Sequence, residues 1–241
     1  MVKPYISVVI AARDEEELLP NAITALRCQD IRGDQFELEI IVVDNCSTDR
    51  TSEVARECGA DKVIYEPVLG TNIARETGRL AAQGQIIVCL DADCVPPPSW
   101  LRHISCALSQ DGVAAVSGPY DYGFRGFTKL ADILYSHWLF SYADRILAFV
   151  FWKPFGVIRA GNFAAWRSTL EIIGGFPPFT FWGDDTALGL AIARKVGRVW
   201  YHRKLIIESS PRRFEQYGLV RTTMRYLYHF FRVYLFEPAP Q

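Results

Sequence analysis

The chain has 241 residues, 50% of them apolar and 22% charged, with a formal net charge of −1. That composition excludes a disordered or collagen-like chain and leaves room for one large α/β domain, or two small ones, with a real core. The near-zero net charge hides a split. Residues 1–120 hold 10 Lys and Arg against 18 Asp and Glu, residues 121–241 hold 16 against 9, and 27 of the 32 Phe, Tyr and Trp lie after residue 120.

The first 120 residues alternate strand and helix. Residues 5–11 are a β-rich run, and 15–27 place Leu18, Leu19, Ala22, Ile23 and Leu26 at helical spacing. Residues 39–43 form a second apolar strand, Ser47 and Asp49 can cap a helix that ends before Gly59, and 62–65 is a third short strand. A helix over 71–82 closes at Gly84. Residues 85–90 then run continuously apolar, as a strand covered on both faces should. A helix begins at the prolines 96–98 and runs through Leu108, and 113–117 is a fifth strand. Residues 124–152 are long, aromatic and sparsely charged, and read as helical. The α/β style resumes near Val157 and continues to about Ile207. In the tail, 219–236, Arg221, Arg225, His229 and Arg232 are spaced to form one stripe of a helix.

Such alternation means a mostly parallel sheet wrapped by helices, with ligands at the carboxyl ends of the strands. Polar residues do follow the strands: Arg13-Asp14 the first, Asp44-Asn45 the second and Asp91-Ala92-Asp93 the fourth. The six cysteines form no Cys-x-x-Cys pair, which argues against a zinc site. Met1 runs straight into the first strand with no leader-like stretch, so a reduced, cytoplasmic setting is the expectation. No uncharged apolar run reaches the roughly 18 residues that span a bilayer; the nearest are 133–143 and 146–152. Membrane contact, if made, is therefore peripheral.

Several signatures are missing: the Gly-x-Gly-x-x-Gly of dinucleotide folds, the Gly-x-x-x-x-Gly-Lys-Ser/Thr of P-loops, and the Gly-x-Ser-x-Gly elbow. Nothing points to a nucleic-acid partner. Asp91-Ala92-Asp93 is the sharpest feature. Two carboxylates at the end of a buried strand are costly unless a cation or strong donors meet them, and hard oxygen ligands suit Mg2+ or Mn2+ equally. The competing reading is a pair of loop aspartates capping the next helix. Asp44 is read either as a base or sugar contact or as turn chemistry. Asp184-Asp185, after Trp182-Gly183, open a helix over 186–196. They are read either as favourable charge at its N-terminus or as a general base at the site mouth. Gly161-Asn162 can bring backbone close to a ligand.

Taken in order, these segments resemble the family 2 glycosyltransferases, whose fold is GT-A. The matching pieces are 6–15, 42–51, Ala74-Arg75 with Gly78, Asp91-Ala92-Asp93, Gly161-Asn162, Gly174-Gly175-Phe176 and Asp184-Asp185-Thr186, covering roughly 5–207. The resemblance implies a single GT-A domain. Residues 1–120 would bind the nucleotide sugar. Residues 121–241 would bind the acceptor, with an aromatic helical insertion at 124–155 and an amphipathic tail at 219–236. It implies that Ala11, Arg13 and Glu15 line the nucleotide pocket. Asp44 contacts the base, uracil in many members. Arg75 lies near the nucleotide or diphosphate, Asp91 meets ribose or the metal shell, Asp93 ligates the cation, and Asp185 is the catalytic base with Asp184 beside it. The chain departs from the family in having Asp184 where Glu is usual, and in lacking the Gln-x-x-Arg-Trp of processive synthases. Ser210-Pro211-Arg212-Arg213 stands in that region, so a single transfer is expected rather than polymerisation.

The implied chemistry is an inverting displacement. A sugar leaves a nucleoside diphosphate, UDP first among the candidates, for a glycan or lipid-linked acceptor. Arg212 and Arg213 are read as diphosphate contacts or as a surface pair, and Trp182 as a sugar platform or a core residue. His202 follows a strand and is left outside the metal set. The aromatic insertion and Arg-striped tail together suggest an interfacial surface on the cytoplasmic face of a membrane. Two other classes remain open: a sugar-nucleotide nucleotidyltransferase, which should carry a Gly-rich basic loop where Ala11-Ala12-Arg13-Asp14-Glu15 stands, and a catalytically silent glycan-binding scaffold.

Overall fold

The computed structural model describes residues 4–30, 36–124, 156–177 and 184–212, with isolated positions between 216 and 233. In chain order the strands are β1 (Tyr5–Ala12), β2 (Glu37–Asp44), β3 (Lys62–Tyr65), β4 (Ile86–Asp91), β5 (Cys94–Val95), β6 (Val113–Ser117), β7 (Tyr120–Asp121), β8 (Asn162–Trp166), β9 (Arg198–Tyr201) and β10 (Ile207–Ser209). The helices are α1 (Leu19–Arg27), α2 (Thr51–Glu57), α3 (Thr71–Ala81), α4 (Trp100–Leu108), α5 (Arg167–Ile173) and α6 (Asp184–Lys195). Seven strands form one sheet in the order β3-β2-β1-β4-β8-β6-β9, and a small second sheet has the order β5-β10-β7.

The sheet is covered on both faces because its strands are apolar on both. Ile6, Val8 and Ile10 of β1, with Ile40 and Val42 of β2, cluster with Leu19, Ile23 and Leu26 of α1 and Trp100, Leu101 and Ile104 of α4. The alternate residues Val9, Ile41, Val43 and Ile87 cluster with Ala74 of α3, Leu170 of α5 and Leu188 and Ile192 of α6. Each fully buried aliphatic side chain contributes roughly 1.5–3 kcal/mol, so the two clusters hold the frame that fixes the strand ends. Gly78 lets α3 lie directly on the sheet: a Cβ there would come within 2.3 Å of Val9 Cγ1.

The pairings β1–β2, β2–β3, β1–β4 and β6–β9 are parallel, as the strand–helix alternation requires. The exception is β8, which lies antiparallel between β4 and β6.

The first helix begins later than the spacing predicts, at Leu19 in place of Glu15. The reason is local. Asp14 adopts φ 53°, and the N–H groups of Glu15 and Glu16 donate to Thr51 Oγ1 and Asp49 Oδ2 across the sheet end. Those groups are therefore spent outside the helix, and Pro20 sits in its first turn. Asp49 also accepts from Thr51 N at 3.0 Å, as expected of a residue at the head of α2. Ser47 does not cap that helix; it accepts from Asp14 N instead. The insertion beyond Phe124, Trp182, Arg213 and most of the tail lie outside the described residues. Of the tail, residues 221, 224, 225, 228, 229, 232 and 233 are helical.

Candidate active site

The register of the sheet sets three strand ends side by side. Ala11 of β1 pairs across to Asp91 of β4, and Ala12 to Asp44 of β2. The polar residues that follow these strands therefore share one rim, where parallel sheets bind ligands.

Asp91 is the centre of the charge arrangement. Its Oδ1 accepts from Arg75 Nη2 at 2.9 Å and its Oδ2 from Tyr120 Oη at 3.3 Å. Arg75 projects from α3, is 6% exposed, and also donates to Asn72 Oδ1. Burial pulls its pKa down, but the Asp91 carboxylate outweighs this and holds it above the ordinary value. Gly161 makes the arrangement possible: a Cβ at that position would stand 1.8 Å from Asp91 Oδ2. The close backbone approach expected of Gly161 is thus an approach to the Asp91 carboxylate. The Asp91 N–H also donates to Gly161 O at 3.2 Å.

Asp93, two residues on, has a different environment. Among the described residues its Oδ1 accepts from the Cys94 thiol, at 3.6 Å. Burial raises its carboxyl to about 6, and Asp91 and Glu15 add to that, while Arg212 opposes it. Ligand atoms of Asp91, Asp93 and Cys94 lie within 4.8 Å of one another, the one such group among the described residues. Burial pushes the Cys94 thiol up, so it is neutral. Hard carboxylate oxygens are then the usable donors, and Asp93 has the more open pair. This suits a cation that keeps water and substrate oxygens in most of its shell. His202 is elsewhere: its Nδ1 accepts from Lys204 N at 3.2 Å and its ring stands edge-on to Trp200.

The small sheet brings a distant segment to Asp93. Ser209 of β10 pairs with Cys94 of β5, and Ser210 N donates to Asp93 O. Arg212 then reaches across to Glu15, with Nη1 to Oε2 at 3.3 Å and Nη2 to Oε1 at 2.5 Å. Glu15 is mostly covered while Arg212 is exposed. Arg13 is also exposed, 3.7 Å from Asp14. Asp44 is buried, with Oδ1 accepting from Ser47 N at 2.9 Å and Oδ2 from Ser52 Oγ.

Asp184 and Asp185 open α6. Ala160 N donates to Asp185 Oδ2 at 3.2 Å. Burial raises the Asp185 carboxyl to about 7, and its neighbour Asp184 adds to this; the Arg75 charge pulls the other way. Burial raises Asp184 as well, again against Arg75. The Arg75 charge thus acts on both Asp91 and the pair on α6. A recessed carboxyl that titrates near neutrality is suited to taking a proton.

The Asn162 side chain is engaged by the fold itself. It is 1% exposed; Nδ2 donates to Pro119 O at 3.1 Å and Leu205 O at 2.6 Å, and Oδ1 accepts from Trp100 Nε1 at 3.1 Å. Its amide ties β8 to the segments that carry β7 and β10. Sequence reasoning named Asn45 at the end of β2 without a role and missed other residues around the site. Asn45 pins the 66–70 loop ahead of α3 through Val68 O at 2.7 Å and Gly70 N at 2.8 Å. Asn72 and Glu76, on the same helix as Arg75, hold Pro177 O and Phe176 N in the chain leading toward Asp184. Tyr120 and Arg159 were missed too. For Asn45 the signal was available, a polar residue directly after a strand end. The others needed the tertiary register.

Comparisons with known proteins give the family and the fold. The model of glycosyl transferase family 2 matches residues 7–170. The chain is 27% identical over 187 residues to glycosyltransferase AglE of Haloferax volcanii, spanning 76% of this chain and 59% of that protein. It is 30% identical over 129 residues to an undecaprenyl-phosphate 4-deoxy-4-formamido-L-arabinose transferase of Pseudomonas fluorescens, spanning 48% and 37%. The fold matches that of mannosyltransferase PcManGT from Pyrobaculum calidifontis, solved in complex with GDP-Man and Mn2+, at a TM-score of 0.76 and 23% identity, covering all of this chain and 67% of that one. With its mostly parallel sheet, its paired aspartates at the end of β4 and a family match over most of its length, the chain belongs to glycosyl transferase family 2 and has the GT-A fold.

Proposed function

We propose that this chain is an inverting, cation-assisted glycosyltransferase. It moves one sugar from a nucleoside diphosphate sugar, UDP-sugars first among the donors, to a glycan or lipid-linked acceptor. The observation that carries this reading is the Arg75–Asp91 pair on the rim where β1, β2 and β4 end, with the Arg75 charge also acting on the buried Asp185. Residues 1–120 form the donor half and 121–241 the acceptor half.

Asp185 removes the proton of the acceptor hydroxyl. The acceptor oxygen bonds to the anomeric carbon from the face opposite the diphosphate, and the carbon–oxygen bond to the diphosphate breaks with its electrons. Asp184 and Arg75 set the proton affinity of that base. Asp93, with Asp91 beside it, would hold Mg2+ or Mn2+, which when bound offsets the charge of the leaving diphosphate. Arg212 stands beside Asp93 and can exchange Glu15 for a diphosphate oxygen; Arg213 is placed beside it by sequence. Ala11, Arg13, Glu15 and Asp44 line the nucleotide side, and Gly161 keeps Asp91 in place. By sequence, Trp182 offers a sugar platform.

Support for a lipid-linked acceptor comes from the relatives, one of which is named for undecaprenyl phosphate and another, 32% identical over 98 residues, for dolichyl phosphate. Among the described residues no helix is long and apolar enough to cross a membrane. In the tail, Arg221, Met224, Arg225, Tyr228 and Arg232 are exposed, which supports peripheral contact with an anionic leaflet.

The test is thermal unfolding with UDP, GDP, dTDP and CDP, each with and without Mn2+, in wild type and Asp93→Ala. A ligand that binds only the folded state raises the melting temperature. A cation-dependent shift with one nucleotide, absent in Asp93→Ala, is expected. No shift with any of the four at millimolar concentration would refute the reading and favour a silent glycan-binding scaffold.

A further inference from the structure

We infer that Glu76 and Asn72 of α3 are positioning residues for the transfer: they hold the Phe176–Pro177 backbone and so set where the base Asp185 stands relative to Arg75. The inference rests on the transferase reading above and adds the part of the fold that aligns its base.

A helix face turned toward a core is ordinarily apolar. On α3 the buried residues are Asn72, Ala74, Arg75, Gly78 and Arg79, and Glu76 is largely covered. Asn72, Arg75, Glu76 and Arg79 follow one another at i, i+3, i+4 and i+7, so they form one stripe. Covered polar groups are costly unless each finds a partner. The stripe finds its partners in two places, the Asp91 carboxylate and the backbone of the turn that follows α5.

Glu76 is itself fixed. Its Oε1 accepts from Arg79 Nη2 at 2.6 Å and its Oε2 from Arg79 Nε at 2.8 Å, a fork that holds the carboxylate in one orientation. So held, Oε2 also accepts from Phe176 N at 3.0 Å. The turn is shaped to meet it: Gly175 has φ 86°, and a Cβ there would stand 2.6 Å from both Glu76 carboxylate oxygens. One turn earlier on α3, Asn72 uses both ends of its amide. Oδ1 accepts from Arg75 Nη1 and Nδ2 donates to Pro177 O, each at 3.2 Å. The residue that orients Arg75 therefore also holds the chain that leads in sequence, through 178–183, to Asp184 and Asp185.

The turn and the base share a second reference, the strand β8. Phe176 is buried edge-on to Phe163 of β8, with ring centroids 6.3 Å apart. Ala160, just before β8, gives its N–H to Asp185 Oδ2. Through α3 both are then referred to the guanidinium that pairs with Asp91. A reacting group misplaced by about 1 Å can lose about 10²-fold in rate. Two side chains that fix the approach to α6 therefore bear on the reaction, although they act through Asp185.

The test is thermal unfolding of the full chain across pH. The melting temperature of Asp185→Asn minus that of its parent is followed from about pH 4 to about pH 8 in the wild-type, Glu76→Ala, Glu76→Gln and Leu26→Ala backgrounds. Burial acts most on the Asp185 carboxyl, with Asp184 and Asp91 adding to it and Arg75 opposing, so in wild type the difference widens as pH rises. In Glu76→Ala the released turn lets water reach the carboxyl, and at least about half of the widening should be lost. Glu76→Gln keeps an acceptor for Phe176 N and should restore most of it. Leu26→Ala, in the other core cluster, should lower the melting temperatures and leave the widening as it is. Should Glu76→Ala fail to fold, Asn72→Ala removes the tie to Pro177 and is read in the same way. A widening in Glu76→Ala as large as in wild type, or an equal flattening in Leu26→Ala, would overturn the inference. Glu76→Ala should also keep the nucleotide shift with Mn2+ and lose about 10²-fold in Mn2+-dependent hydrolysis of the matching nucleoside diphosphate glucose; undiminished hydrolysis would overturn it equally. A wild type without a nucleotide shift sinks the transferase reading instead, and the pH profile still decides the positioning.

Discussion

Replacing Gly161 by alanine tests whether the Asp91 carboxylate is held where the structure places it. The new Cβ would stand 1.8 Å from Asp91 Oδ2 and 2.0 Å from its Cγ. Relief requires one of two movements. Either the carboxylate swings away, breaking its bonds to Arg75 at 2.9 Å and Tyr120 at 3.3 Å, or β8 draws back from β4 and loses the bond from Asp91 N to Gly161 O. Overpacking costs about 1–3 kcal/mol. Separating a buried ion pair costs about 3–5 kcal/mol, less here because the Asp91 side chain is 37% exposed. We expect Gly161→Ala to cost about 2–4 kcal/mol, a fall of roughly 5–15 °C in melting temperature for a chain of this size. Asp91→Ala is destabilising by itself, since it strands the Arg75 guanidinium, but it also removes the atoms that clash. The double variant should therefore cost at least about 1 kcal/mol less than the sum of the single ones. The assay is denaturant unfolding of the four members of that cycle. A Gly161→Ala protein within about 0.5 kcal/mol of wild type, or a strictly additive cycle, would refute the reasoning.

Asp185→Asn should lose about 10²–10⁴-fold in turnover with a hydroxyl acceptor while keeping the nucleotide shift, because a positioned base is removed and donor contacts are not. The same variant should gain stability as pH rises. The folded-state carboxyl titrates near 7, above the ordinary aspartate value, so its contribution is full below about pH 4 and is lost as pH rises through 7. The difference in melting temperature between variant and wild type should therefore widen in the variant's favour from pH 4 to pH 8; a constant difference would contradict the assigned burial. Asn162→Leu should cost about 3 kcal/mol or more, since Trp100 Nε1 and the carbonyls of Pro119 and Leu205 lose their partner; a near-neutral result in denaturant unfolding would contradict the clamp. Arg212→Ala should change stability by less than about 1 kcal/mol, because its pair with Glu15 is exposed on the arginine side. Its affinity for the nucleoside diphosphate with Mn2+ should nonetheless fall, and calorimetric titration giving equal affinities would remove Arg212 from the donor side.

The parts of the fold that were legible in the sequence are those whose cause is local. The strands β1, β2 and β4 announce themselves because a strand buried on both faces must be apolar at every position, and Ile6–Ile10 and Ile86–Leu90 nearly are. The polar residues after them mark the rim for the same reason. The second sheet was not legible, because its strands have only two or three residues and owe their existence to partners far along the chain. The antiparallel seat of β8 and the late start of α1 are tertiary effects of the same kind. So is the divergence of Asp91 and Asp93. In sequence they are equivalent carboxylates flanking an alanine. In the fold Asp91 is held by Arg75, Tyr120 and the space left at Gly161, and has become a fixed part of the frame. Asp93 faces a neutral thiol and like charges, so it is the carboxylate with most to gain from a cation. The motif is read from the sequence, but which of its two aspartates is held in the frame is decided by Arg75, Tyr120 and Gly161, far from it along the chain.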